Sequence, residues 1–183
     1  KVEGVRSGDE IARAPLIIAD PSYVKGTKGN VKSQGKVIRS ICVLDHPIPN
    51  TKDATSVQII IPQKQTGRNS DIFINMVSFA HAVCSQGLYV AMVSTIIETS
   101  DPHSEIDAGV ELLGEILEQF TTTSDLYIPS HDGTENNLYI TTSYDPTSHF
   151  ESASNDVLSI YKRIYGEEYD LTIGAEESKQ EEY

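Results

Sequence analysis

Apolar positions in this chain fall mostly in short runs between polar turns, a texture of strands more than of helices. Residues 2–5 and 11–19 read as two strands about the turn "RSGDE", in which Gly8-Asp9 supplies the turn chemistry. The polar stretch 23–35, "YVKGTKGNVKSQG", reads as an irregular connection. Residues 37–44, "VIRSICVL", are β-branched and apolar, and Pro47 and Pro49 end that strand because proline lacks a ladder donor. Three further strands follow closely: 57–61 ("VQIII"), 71–79 ("DIFINMVSF") and 88–97 ("LYVAMVSTII"). The short polar link 63–70 suits an antiparallel meander better than a helical crossover. The stretch "AHAVCSQG" fits either one helical turn or a wide hairpin loop.

Helical period enters at two places. Over 102–120, Ile106, Val110, Leu113, Leu117 and Phe120 recur at alternating spacings of four and three, which predicts one buried stripe. Asp101 would cap this helix, Pro102 would fit its first turn, and Glu105 and Asp107 would suit its positive end. Gly109 and Gly114 inside it each cost about 1 kcal/mol relative to alanine, so they point to close packing. Strands at 124–128 and 138–144 flank the turn "HDGTENN". A second helix, 155–165, carries Val157, Ile160, Tyr161 and Ile164 as its stripe. Ser154 or Asn155 would cap it, Lys162 and Arg163 would face its negative end, and Gly166 would stop it. The pattern predicts a mixed α/β domain over 1–165 and a mobile acidic tail over 166–183.

Composition narrows the function classes. A chain of 183 residues supports one domain with a substantial core. A net charge of -13 argues against nucleic-acid binding, which needs clustered cations. The cations that do gather, Lys25, Lys28, Lys32, Lys36 and Arg39, share one polar stretch that reads as a solvated face. Cys42 and Cys84 lie in apolar surroundings without CxxC spacing, the signature of reduced, buried thiols in a cytosolic protein. There is no signal-peptide pattern, no apolar run near the ~18 residues of a membrane span and no prenylation box, so a soluble protein is expected. The chain opens on lysine in mid-hairpin, which reads as a piece of something longer.

Candidate chemistry is thin. His81 and Cys84, three apart, could form a nucleophile pair, but no orienting partner is legible beside them. Asp101 with His103, or His131 and Asp132 with Asp145 and His149, could be imagined as metal ligands; they lack ligand spacing, and turn chemistry accounts for the aspartates. Neither "GTKG" nor "SQGK" leads from a strand into a helix as a phosphate cradle requires. Among the aromatics, nine tyrosines against four phenylalanines suit rings buried with the hydroxyl at a surface, whether at an interface or a core edge. The run "LIIADPSY", 16–23, resembles the strand that flavin-binding proteins direct at their dinucleotide. In place of the usual glycine it offers Asp20, a carboxylate where a pyrophosphate would sit, and Pro21, which removes a donor. The residues favour binding over catalysis and give no catalytic, cofactor or metal residue.

Whole segments carry a stronger signal. "LIIADPSYV", "GKVIRSICVLDHPIPNT", "DATSVQIIIPQKQ", "NSDIFINMVSFAHAVCSQGLYVAMVSTIIETSDP" and "SYDPTSHFESASNDVLSIYKRIYG" closely resemble, in order, the C-terminal half of Rab GDP-dissociation inhibitors. The resemblance covers nearly all of 1–165. It implies part of a flavoprotein-like FAD/NAD(P)-binding fold with a mixed or antiparallel sheet and no bound flavin. It also implies a stoichiometric, non-enzymatic partner of prenylated Rab GTPases in the GDP form, holding the geranylgeranyl lipid, cytoplasmic and transiently at membranes. The family's Rab platform lies mainly before residue 1, so the resemblance assigns no partner-binding residue here. A Rab escort protein and a flavin-dependent oxidoreductase are the rival readings.

Overall fold

A computed structural model describes residues 1–27, 29–147 and 150–172. In chain order its elements are β1 (Gly4–Ser7), β2 (Glu10–Arg13), β3 (Ile17–Ala19), α1 (Pro21–Val24), β4 (Val31–Leu44), β5 (Ser56–Ile61), α2 (Gln63–Thr66), β6 (Ile72–Ser78), β7 (Tyr89–Ile96), α3 (Asp107–Val110), β8 (Glu118–Pro129), β9 (Leu138–Ile140) and α4 (Phe150–Tyr165). The described residues divide into two compact units: 1–32 with 127–143 and those from 150 on, and 33–126 with 144–147.

The second unit is built on a sheet of order β5-β6-β7-β4-β8, antiparallel where β5, β6, β7 and β4 pair. The β5–β6–β7 meander is the one predicted. Its register sets Ile74 against Val93 and Cys42 against Ala91, so the pleat collects these side chains on one face. Ile38, Leu44, Ile72 and Met76 complete that buried face, and Ile48, Ile106 and Leu113 pack onto it. Each such side chain contributes roughly 1.5–3 kcal/mol by leaving water. The link between β6 and β7 combines both expected forms: a 3-10 turn, Phe79–His81, inside a wide hairpin loop.

The long helix predicted over 102–120 does not form. One turn of α3 and a 3-10 turn, Glu111–Leu113, are all that appear before β8 begins at Glu118. Gly109 lies so close to the sheet that a Cβ there would meet Val93 Cγ1 at 2.6 Å. Gly114, at φ 82° and ψ -141°, turns the chain out of helical geometry in a conformation that glycine tolerates. Ile106 and Leu113 of the expected stripe are buried, whereas Leu117 and Phe120 are exposed. Asp101 caps nothing; Ile106 holds the N-cap position of α3.

Three other boundaries differ from the sequence pattern. The second strand of the opening hairpin stops at Arg13, and 17–19 forms a separate strand, β3, parallel to β9. The stretch 23–35 is not wholly irregular, because β4 already starts at Val31. About "HDGTENN" the expected strands 124–128 and 138–144 both form with other bounds, as β8 from Glu118 in the large sheet and as β9, which stops at Ile140 and pairs with β3. These runs are short enough that pairing partners, which lie far off in sequence, decide their fate.

In the first unit, α4 starts five residues earlier than the pattern suggested, so Ser154 and Asn155 lie inside it. Val157 is 63% exposed, and Ile160 is the buried member of the helix face. Gly166 ends the helix as expected, at φ 81° with its N–H donating to the Lys162 carbonyl. Arg163 Nη1 donates to the Asp132 carbonyl and ties α4 to the loop before β9. Of the acidic tail, 173–183 lie outside the described residues.

Candidate interaction site

The "ADP" triplet is a strand-to-helix corner. Asp20 Oδ1 accepts from the Ser22 N–H at 2.8 Å, and Pro21 occupies the first position of α1. The carboxylate that looked placed to repel a pyrophosphate is therefore a helix cap. Beside this corner Val2, Val5, Ile17, Ile18, Tyr23 and Leu138 line a mainly apolar cavity of about 410 Å³. Ile18 is 55% and Tyr23 86% exposed, so the groove presents apolar surface outward. Among its described lining residues, Asp20 and Tyr23 are the ionisable ones. Such a lining suits an apolar partner segment, and it lacks the acid–base pair that catalysis needs.

A second cavity of about 440 Å³ lies in the same unit at His131, Asp132, Gly133, Glu135 and Asn136. His131 Nε2 sits 3.3 Å from both Asn30 Oδ1 and Asn136 Nδ2. Thr134 donates to Asp132 through its hydroxyl and its N–H and holds that carboxyl below its ordinary range. Asp145 belongs to the other unit, where it accepts from Thr147 N and Oγ1. His149 lies outside the described residues. Among the described residues no three His, Cys, Asp or Glu side chains gather as a metal site.

The remaining sequence candidates have structural tasks. Cys84 Sγ donates to the Leu88 carbonyl in the β6–β7 loop, and His81 is exposed in the adjoining 3-10 turn. Cys42 is a core side chain whose thiol burial pushes up, against a weaker opposing bond from Ser40. Asp101 accepts from Ser104 Oγ, and the His103 carbonyl accepts from Ile106 N, both within the turn before α3. The cations of the polar stretch are divided between the two units. Lys25 lies 6.0 Å from the Tyr127 ring centroid, Lys36 pairs with Asp125 at 3.7 Å, and Arg39 donates to the Tyr144 and Asp145 carbonyls. Lys32 is exposed, and Lys28 lies outside the described residues.

One cluster was invisible to sequence reading. Arg68 pairs with Glu105 at 2.6 Å and also donates to Thr95 Oγ1 and the Ile96 carbonyl. Glu105 further accepts from Glu98 N, Thr99 N and Thr99 Oγ1. Burial works to raise its pKa, but the bonds from Thr99, Glu98 and Arg68 prevail and bring the carboxyl down to about 2. This knot joins the β5–β6 connection to the end of β7. No local pattern links two residues so distant in sequence.

Comparison with known proteins assigns the arrangement. The sequence profile of the GDP dissociation inhibitor family matches residues 1–176. The chain belongs to the GDP dissociation inhibitor family. Rab GDP dissociation inhibitor beta of Rattus norvegicus is 51% identical over 171 residues, which are 93% of this chain and 38% of that protein. The crystal structure of Rab GDI from Plasmodium falciparum superposes with a TM-score of 0.89 at 48% identity, over 93% of this chain and 39% of that one. The mixed α/β architecture with its antiparallel sheet is thus the fold of this family. The chain spans about two-fifths of the length of these relatives. Among the described residues no helix is long and apolar enough to cross a membrane.

Proposed function

We propose that the protein containing this chain is a Rab GDP dissociation inhibitor. It binds GDP-loaded, prenylated Rab GTPases one to one, slows GDP release, extracts them from membranes and carries them through the cytosol. It makes only transient, peripheral contact with membranes. Family membership across nearly the whole chain is the observation that carries this reading.

The action is one of binding. A grip on the nucleotide-dependent surface of the GTPase favours the GDP form by differential affinity, and a ligand shifts an equilibrium only by that difference. Shielding the geranylgeranyl chains offsets the loss of membrane contact, since each buried CH₂ contributes roughly 0.8 kcal/mol. The Rab platform is built mainly from the parts of the family's longer chain that this two-fifths does not span. The five-stranded sheet acts as the scaffold that keeps that platform in shape, and the groove at the Asp20 corner gives the scaffold an apolar seat for a neighbouring segment.

The test is GDP release from prenylated Rab in the presence of the full-length protein. Release should slow several-fold with prenylated Rab and far less with the unprenylated form. Equal capture of unprenylated Rab together with the geranylgeranyl transferase would move the reading to an escort protein. A yellow preparation with flavin absorbance would move it to an oxidoreductase.

A further inference from the structure

The turn that leaves β4 carries His46 between two backbone carbonyls. Its Nδ1 lies 2.8 Å from the Pro47 oxygen and its Nε2 3.0 Å from the Glu115 oxygen. Both neighbours are acceptors, so both ring nitrogens must donate for the arrangement to be satisfied. A neutral imidazole has one N–H; the imidazolium has two.

The ring is wedged where the strand-exit turn meets the chain running from α3 into β8. A Cβ on Gly114 would stand 3.0 Å from His46 Cε1 and 3.2 Å from Pro49 Cγ, so the surface facing the ring is bare backbone. On either side the two segments are anchored: Ile48 and Leu113 are buried in the core, and Leu117 N donates to the Val43 carbonyl at 2.9 Å. His46 is thus the polar link across a junction whose flanks are fixed. The charged groups facing it are Asp45, on its own turn, and Glu115, on the opposing segment, both carboxylates.

We propose that His46 is a proton-operated clamp that locks the 45–50 turn to the entry of β8 when protonated and releases one of its two holds when neutral. The Pro47 carbonyl acts first to raise the ring's pKa; burial opposes it, and the Glu115 carbonyl, Asp45 and Glu115 reinforce the rise. An imidazole raised above its usual ~6.5 contributes stability that is complete below that value and is lost as pH climbs through the raised one. In either neutral tautomer, a ring lone pair faces a carbonyl, so either the turn or the cross-link gives way. The clamp accordingly loosens at the alkaline side of neutrality, not on acidification.

Two readings on the full-length protein test this. Hydrogen–deuterium exchange at the His46 Cε1 position, followed by mass spectrometry across pH, should give a midpoint above 6.5. Amide exchange, corrected for its intrinsic pH dependence, should show opening of 45–50 or 114–118 increasing about five-fold between pH 6 and pH 8.5, the loss of one ordinary hydrogen bond. In His46→Gln, which cannot titrate, that increase should vanish while exchange in β6 and β7 stays as in the parent. A midpoint at or below 6.5, or a parent protein whose two segments open equally at both pH values, overturns the clamp. So does an unchanged pH response in His46→Gln.

Discussion

Glu105 carries five hydrogen bonds or ion contacts in a nearly dry site, yet in sequence it is one acidic residue in an acidic, turn-rich stretch. Sequence reading gave it the positive end of a helix that does not exist, because the charge preference of a helix start and the demand of a distant guanidinium look alike in one dimension. Breaking a buried pair by removing one partner leaves the other charge uncompensated, so Glu105→Ala should cost about 3–5 kcal/mol in urea unfolding. The pH dependence has a definite sign. A carboxyl lowered to about 2 stabilises the fold fully above the ordinary carboxylate range and loses that contribution as pH falls toward 2. The gap in stability between the parent and Glu105→Gln should therefore be constant above about pH 5.5 and shrink on acidification. A gap that widens at low pH would contradict the assignment.

Among the elements, the meander strands and the body of the second helix were legible, and the expected helix over 102–120 was not. Strands 57–61, 71–79 and 88–97 show in sequence because β-branched side chains alternate through a face that must be buried. They appear as β5, β6 and β7 within a residue or two. The stretch 102–120 shows a helical repeat by coincidence: Leu117 and Phe120 continue the spacing, but Leu117 leads into a new strand and Phe120 lies in it. Gly109 and Gly114 held the clue: the close packing they signalled is there, with Gly109 against the sheet, but Gly114 is a positive-φ exit from helical geometry and not a helix-interior residue. The two readings predict opposite signs. In a helix Gly109→Ala would stabilise by about 1 kcal/mol; against Val93 it should destabilise by about 1–3 kcal/mol. Leu113→Ala should cost about 2–5 kcal/mol, and Phe120→Ala no more than about 0.5 kcal/mol, as thermal denaturation would register. Equal losses at the two positions would restore the continuous stripe.

For the whole molecule, what the sequence concealed was partnership. Both β3 and β9 are three-residue pieces from opposite ends of the chain, and nothing local says that they pair with each other. The "ADP" corner was legible as an unusual strand end, but its carboxylate proved to be a cap, so the departure from a cofactor-binding glycine is a local structural solution. The candidate site could be read from sequence only as the lack of catalytic spacing; the apolar groove beside Asp20 required the fold to bring residues 2–5, 17–24 and 138 together.

The proposed function is the removal of Rab GTPases from membranes in one nucleotide state. Vesicles carrying geranylgeranylated Rab, loaded with GDP or with a non-hydrolysable GTP analogue, should be incubated with the full-length protein and sedimented. GDP-loaded Rab should move into the supernatant as a one-to-one complex, at least ten-fold more readily than the GTP form. Equal extraction of the two forms, or none of either, would contradict it.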